Sequence, residues 1–450
     1  MLFRSGWPAG ADARILLWPS ALLAAVTGPT LAVTLTFAGV PAFNLLGGWV
    51  LGAAMGRPFA SRAVLGGLLA LHPWVIETLT NGQVEQAVLG GAALQVAAAL
   101  WALADVRRAP VVGIVTALVG WAAPHVALAG CLVLGLLVLP EVRRAPGKAV
   151  AVLVAAALGA WAVNAWFAPS FGPGAHVFSP KGSEGRPTSV VDLPEFASLR
   201  GLFLPPARST ASVVHPNWLG FVALIAGGMG VERRPWLGVT AGILAILALG
   251  PRLGPVPLPW ALLADLAPSI SQSMSAYRMV AGVVLTLAIA AACVDWGRVA
   301  WLLVALAWIE GPLAATRPLP LAAQYVPFDG GTAERRAGSG AVLDLPLAGP
   351  ACPEGAAHYL LQAARTGRPT PVTLTNPRAG YSGDVVRTFG TAEHCEDLAD
   401  NVRSWGFTTV VLHIHDPNCP ASPALRGCLS VLGPGQSEPG TTWWDLGGSP

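Results

Sequence analysis

Two short polar clusters interrupt a chain that is otherwise strongly apolar. The first runs from His72-Pro73-Trp74 past Glu77 to Asn81-Gly82-Gln83-Val84-Glu85-Gln86. A carboxylate inside or at the rim of an apolar slab is costly unless it faces a cavity or a partner. Glu85 falls just inside a predicted helix start, where the positive end of the helix dipole favours an anion. Gln83 and Gln86 carry amide donors suited to sugar hydroxyls or phosphate oxygens. The competing reading makes Glu85 and Gln86 ordinary capping and interfacial residues. The second cluster is Gly250-Pro251-Arg252-Leu253-Gly254, then Pro257-Leu258-Pro259-Trp260 and Ser275-Ala276-Tyr277-Arg278. Arginine at both of its ends suits a clamp on a lipid phosphate through paired N–H donors. Simple interfacial anchoring competes with that reading, and weighs slightly more for Arg252 than for Arg278.

Other chemistries lack their residues. There is no Gly-rich loop ending in Lys-Ser or Lys-Thr, no His-Glu-x-x-His pair and no Gly-x-Ser-x-Gly elbow. His413 and His415 flank Ile414 with Asp416 next, and positions two apart share a strand face. No third metal ligand follows from the spacing, and a polar strand end explains them equally well. A net charge of +3, spread along the chain, does not suggest nucleic acid as a partner.

The elements that must position these clusters are membrane helices. The chain is 54% hydrophobic and 11% charged, with a mean hydropathy of +0.58. An ordinary soluble domain has about 25% charged residues. From Ile15 to Gly56 there is no Asp, Glu, Lys or Arg. About 20 apolar residues cross a bilayer core of roughly 30 Å as a helix. The interruptions divide the chain into spans near 30–55, 61–79, 83–105, 109–122, 125–140, 148–167, 217–231, 235–251, 277–295 and 299–315. With these spans, Arg57, Arg62, Arg107, Arg108, Arg143, Arg144, Lys148, Arg233, Arg234 and Arg298 all fall in connections on one face. The positive-inside rule makes that face cytoplasmic. Merging 109–140 into a single span would break the agreement. Apart from Asn44 and Asn164, few polar residues fall within the spans, and polar groups gather at the outer rim.

Residues 317–450 form a different polymer, with charges, turns and two strand-like stretches, Gly340–Leu347 and Thr408–His413. Glu393–Trp405 reads as an amphipathic helix. The division expected is an outside segment 1–29, a membrane domain 30–316 with an outside loop 168–216, and a small extracytoplasmic α/β domain 317–450. Cys352, Cys395, Cys419 and Cys428 form an even set in that outer domain. Disulfides Cys419–Cys428 and Cys352–Cys395 are the pairing expected, with four free thiols as the alternative.

Taken in order, three segments resemble the GT-C class of integral membrane glycosyltransferases, in particular bacterial members with a C-terminal extracytoplasmic domain. They are Pro41-Ala42-Phe43-Asn44-Leu45-Leu46 through His72-Pro73 to Glu85, Leu249-Gly250-Pro251 through Pro257-Leu258-Pro259 to Tyr277-Arg278-Met279, and Val342-Leu343-Asp344-Leu345-Pro346-Leu347 through Tyr359-Leu360-Leu361-Gln362 to the strand ending at His413. The resemblance implies an all-α polytopic bundle of about ten transmembrane helices in the bacterial inner membrane, with its C-terminal domain outside. It implies transfer of a sugar from a polyprenyl-phosphate donor to a cell-envelope acceptor on the outer side. The class uses an acid of the first outside loop as base or metal ligand, so a divalent metal is compatible, although no cofactor is fixed by the motifs. Asp12, the only acid before the first span, does not match that motif. Glu85 is therefore the candidate base, with His72, Gln83, Arg252 and Arg278 as candidate substrate-binding residues. A transporter or flippase of a lipid-linked substrate, and a non-catalytic envelope scaffold, are the readings from other classes.

Overall fold

The computed structural model describes residues 26–27, 29–80, 84, 86–167, 197–205, 217–253, 256–266, 276–314, 341–346, 389, 395–404, 406–414, 421–438 and 441–446. The chain divides into two compact units, one within Ala9–Ala322 and one within Ala323–Pro450. The first is helical. Its main elements are α1 (Pro29–Ala54), α2 (Phe59–Leu71), α3 (Pro73–Thr80), α4 (Leu89–Ala104), α5 (Ala109–Ala122), α6 (Pro124–Val138) and α7 (Pro146–Phe167). They continue with α8 (Leu199–Phe203), α9 (Phe221–Arg233), α10 (Pro235–Ala248), a hairpin of β1 (Arg252–Leu253) and β2 (Val256–Pro257), α11 (Pro259–Leu266), α12 (Val280–Ala292) and α13 (Val299–Ala314).

Every apolar stretch set out above contains a helix, and α5 and α6 are separate, broken at Ala123 with φ −153° and ψ 79°. By length and composition three segments can cross a membrane: Thr34–Ala54, Phe59–Thr80 and Pro146–Val163. Helices such as α4, α6, α10 and α13 are apolar but shorter. Small residues let the helices approach closely and reveal their directions. Helices α1 and α2 pack antiparallel, Gly48 against Gly66 and Gly52 against Arg62. Helices α2 and α13 run parallel, Gly67 against Val304 and Leu71 against Gly311, as do α9 and α12, Gly227 against Leu287 and Gly230 against Ala290.

These directions gather basic connections at one end. Arg57 Nη2 donates to Cys293 Sγ at 3.5 Å, and Ser61 Oγ donates to the Val294 carbonyl at 2.8 Å. Arg57, Arg233 and Arg234 all act electrostatically on Cys293. At the opposite end the helices break, and buried side chains take up the backbone groups that each break leaves open. His72 interrupts α2 and α3; its Nδ1 accepts from the Trp74 N–H, so its Nε2–H donates to the Leu219 carbonyl at 2.7 Å. The Glu310 carboxylate on α13 accepts from the first two backbone N–H groups of α9, those of Phe221 and Val222. An anion there also meets the positive end of the helix dipole. Between them Gly220 has φ +72°, and a Cβ on it would lie 3.1 Å from Glu310 Oε2 and 3.2 Å from Pro73.

Asn44 performs the same service within the bundle. Its side chain is fully buried; Nδ2 donates to the carbonyls of Leu69 at 3.2 Å and Ala87 at 2.7 Å, and Oδ1 accepts from the Gly90 N–H at 2.7 Å. One carboxamide therefore ties α1 to α2 and to the start of α4. A second node joins α4, α5 and α6, where Gln95 Nε2 donates to Thr116 Oγ1 at 3.3 Å and to the Ala127 carbonyl at 3.4 Å.

The second unit holds β3 (Ala341–Leu345), α14 (Leu398–Ser404), β4 (Phe407–His413), α15 (Pro423–Leu429), β5 (Gln436–Glu438) and β6 (Thr441–Asp445). The sheet order is β3-β4-β6-β5, with β3 and β4 parallel and the other pairs antiparallel. Leu343, Leu345, Val410, Leu412 and Trp444 line one face and pack with Leu398, Val402, Leu425 and Leu429 of the two helices. Helix α14 begins at Leu398 rather than Glu393, and β5 and β6 extend the sheet beyond the two strands expected. The cysteine pairing differs as well: Cys395 bonds Cys428. This excludes both Cys419–Cys428 and Cys352–Cys395, because each used a cysteine that is already taken. The choice follows packing, since the start of α14 and the end of α15 meet over the same sheet face. Cys352 and Cys419 lie outside the described residues.

Two outcomes follow from this packing. Asn44→Ala leaves buried backbone groups of α2 and α4 unpaired, at roughly 1–3 kcal/mol for each; detergent-solubilised protein should lose several degrees of unfolding temperature, and an unchanged value would remove Asn44 as a tie. Non-reducing peptide mapping should recover the Cys395–Cys428 cross-link. The bond spans 33 residues, and closing a loop of that size is worth roughly 3–4 kcal/mol, so Cys428→Ala should destabilise this unit well beyond what the lost side chain explains.

Candidate functional site

One residue of the first sequence cluster, Gln86, meets Tyr277 and Arg278 of the second at the end of the helical unit opposite the basic connections. A helical turn at Ala276–Met279 leads into α12 and sets Tyr277 and Arg278 facing the starts of α4 and α6. The Tyr277 hydroxyl donates to Gln86 Oε1 at 3.1 Å, joining residues 191 apart in sequence, and both side chains are almost fully buried. With Oε1 engaged in this way, Gln86 presents its amide N–H groups as donors. The neighbouring Arg278 is half-buried. Its Nη1 lies 2.8 Å from Nδ1 and 2.5 Å from Nε2 of His125, in the first turn of α6. A guanidinium only donates, so the imidazole nitrogen facing it is the acceptor. The Arg278 Cζ also lies 5.9 Å from the Tyr277 ring centroid. The cluster is thus a guanidinium held by an imidazole and an aromatic ring, next to a glutamine amide. Such a group suits an anionic oxygen, above all a phosphate.

The remaining nominated residues divide clearly. Gln83 and Glu85 lie outside the described residues, although Gln86 and Val84 bracket Glu85 in sequence. His72 is buried, with both ring nitrogens bonded to backbone, so it fastens the α2–α3 break to Leu219 rather than presenting a free nitrogen. Arg252 is exposed on β1, and no hydrogen bond or ion pair joins it to the Arg278 cluster among the described residues. Glu77 is buried on α3. Residues of the proposed metal motif beyond Ile414 lie outside the described residues, and among those described no three His, Cys, Asp or Glu side chains converge on a metal-sized site.

Sequence reasoning missed His125 and Glu310. His125 had a usable signal: a lone polar residue directly after Pro124, at the start of a helix in a run without charge. Glu310 had one too, as the only acid between Asp295 and Asp329. In comparisons with family models, curated proteins and solved structures, nothing matched the chain.

Proposed function

We propose that this chain is a multi-pass membrane protein of about ten transmembrane helices that handles a polyprenyl-phosphate-linked sugar, as a GT-C-like glycosyltransferase. The observation carrying the reading is the Tyr277–Gln86 hydrogen bond, because it brings the arginine cluster to Gln86, the residue that follows Glu85 in sequence. In this reading Arg278 binds the donor phosphate, and Glu85 removes the proton from the acceptor hydroxyl as that oxygen attacks the anomeric carbon. The phosphate departs with the bonding electrons, its charge balanced by the guanidinium. His125 and Tyr277 are positioning residues for Arg278.

Several features support the membrane arrangement. Basic connections share one end, which the positive-inside rule assigns to the cytoplasm, and the polar cluster lies at the other. The shorter helices have 13–16 residues; at about 1.5 Å per residue they rise roughly 20–24 Å, less than a core of about 30 Å. If the basic end sits at the inner boundary, the cluster lies several ångströms short of the outer headgroups, so a donor phosphate has to reach down to it from the headgroup layer. The Cys395–Cys428 disulfide supports an oxidising compartment, and so a C-terminal unit outside the bacterial inner membrane.

The test is release of polyprenyl phosphate from a panel of polyprenyl-phosphate sugars by the full chain in proteoliposomes. Arg278→Ala should lower release about 100-fold or more, the scale for losing a charged transition-state donor. Tyr277→Phe and His125→Ala should give smaller losses, and Arg252→Ala should stay within a few-fold of the parent. Unchanged release in Arg278→Ala and Glu85→Gln would remove both from the site. Lipid movement without sugar release would favour a flippase.

A further inference from the structure

The arginines at the basic end of the helical unit are not all balanced in the same way. The α4–α5 connection pairs Arg108 with Asp105 at 3.6 Å, and the α6–α7 connection pairs Arg144 with Glu141 at 3.0 Å. Around Cys293 the pattern differs. Arg57 and Arg62 of the α1–α2 turn, Arg233 and Arg234 at the end of α9, and Arg298 before α13 stand against two acids, Glu232 and Asp295. Among the described residues none of these five arginines is in an ion pair. Asp295 Oδ1 accepts instead from the Gly297 N–H at 3.3 Å.

A bias of positive charge toward one face requires arginine in these connections but not convergence. Here they converge. Helices α9 and α12 end side by side, Gly230 against Ala290, and the α1–α2 turn reaches the same place through Arg57 Nη2 and Cys293 Sγ, 3.5 Å apart. Arg233 and Arg234 act electrostatically on that same sulfur. A thiol is a weak acceptor, and Arg57 Nε is shielded from water with no acceptor at all. Arg62 Nε donates to the Arg57 carbonyl at 2.6 Å, which holds the turn in place. The donors are thus positioned and largely unused. Beside them the flank of the bundle is aromatic: the Trp49 and Phe59 rings meet edge to face at 4.6 Å, and Phe59 lies 6.1 Å from Trp301. Phe59 is 60% exposed and Trp301 57%.

We propose that this end of α1, α2, α9, α12 and α13 holds the headgroup of an anionic phospholipid. The proposal rests on the membrane reading above and is independent of glycosyl transfer. Paired guanidinium N–H groups match the oxygens of a phosphodiester, and basic pockets at cytoplasmic helix ends suit acidic headgroups. Aromatic rings of the interfacial kind give the first acyl segments an apolar surface. The surplus of arginine over acid selects a lipid without a balancing ammonium group, because choline or ethanolamine would find few carboxylates here. A free phosphate or a soluble acidic protein would use the same donors but make no use of rings exposed on the flank of α2 and α13.

Native mass spectrometry of the full chain in detergent reads the bound lipid directly. Phosphatidylglycerol should be retained at least tenfold more tightly than phosphatidylcholine. Arg233→Gln combined with Arg234→Gln should weaken phosphatidylglycerol about tenfold or more, the scale of two arginines near an anionic surface. Both side chains are exposed, so the variant should fold as the parent does. Arg57→Gln should weaken retention several-fold. Arg107→Gln combined with Arg108→Gln removes the same charge from the α4–α5 connection and should leave retention unchanged. Equal retention of the two lipids, equal weakening by the two double variants, or displacement of phosphatidylglycerol by millimolar inorganic phosphate would each overturn the proposal. Release of the chain from membranes by alkaline carbonate would refute the membrane reading itself, before any lipid is added, and the proposal with it.

Discussion

In an apolar bundle every broken helix end is a debt of backbone hydrogen bonds that water is not present to settle. This chain meets it with side chains. Asn44 binds two carbonyls and one amide from other segments, Glu310 holds the opening amides of α9, and His72 caps the helix that follows it while bonding Leu219. Each of these groups also joins elements far apart in sequence. The same interactions that make the breaks tolerable therefore fix where the helices start, and the starts of α4, α6 and α12 are where Gln86, His125, Tyr277 and Arg278 come together.

This explains why the cluster is polar without being loose. Arg278 has its charge half-buried, a costly arrangement for a flexible side chain alone. Close approach to the His125 imidazole and the Tyr277 ring limits its rotamers, and Tyr277 is itself pinned by Gln86. Preorganisation of this kind lowers the ordering cost when an anion binds. A lysine at position 278 would carry the same charge but lack the planar fork that suits phosphate oxygens.

The helices were legible because charge-free runs and arginine-bearing connections are local features of the sequence. The break at Ala123 was legible for the same reason: only two helices there keep the arginines on one face. Long-range partnerships were not. Nothing near Asn44 announces that its amide will reach Leu69, Ala87 and Gly90, and nothing near Arg278 points to His125, 153 residues earlier. The cysteine pairing failed similarly, because loop length favoured Cys419–Cys428 whereas helix packing brings Cys395 to Cys428. Strand β6 was a different omission: Thr441-Thr442-Trp443-Trp444 has strong strand propensity, and its short length hid it among turn residues.

The C-terminal sheet shows how burial alone misleads about role. Both of its faces are shielded from water, yet one is built from Leu343, Leu345, Val410 and Leu412 and the other carries Asp344, His413 and Thr441. A sheet selected only for stability would keep apolar side chains on both faces, since strands buried on both sides read as continuous hydrophobic runs. Strand β4 is apolar through Val410-Val411-Leu412 before its last residue, His413, and β3 departs from an apolar run at Asp344. The departures fall side by side at the carboxyl edge and bond one another across the parallel pair. Two independent lapses in an apolar pattern would not be expected to meet at hydrogen-bond distance, so the pair is better understood as one feature that the rest of the sheet is arranged to hold.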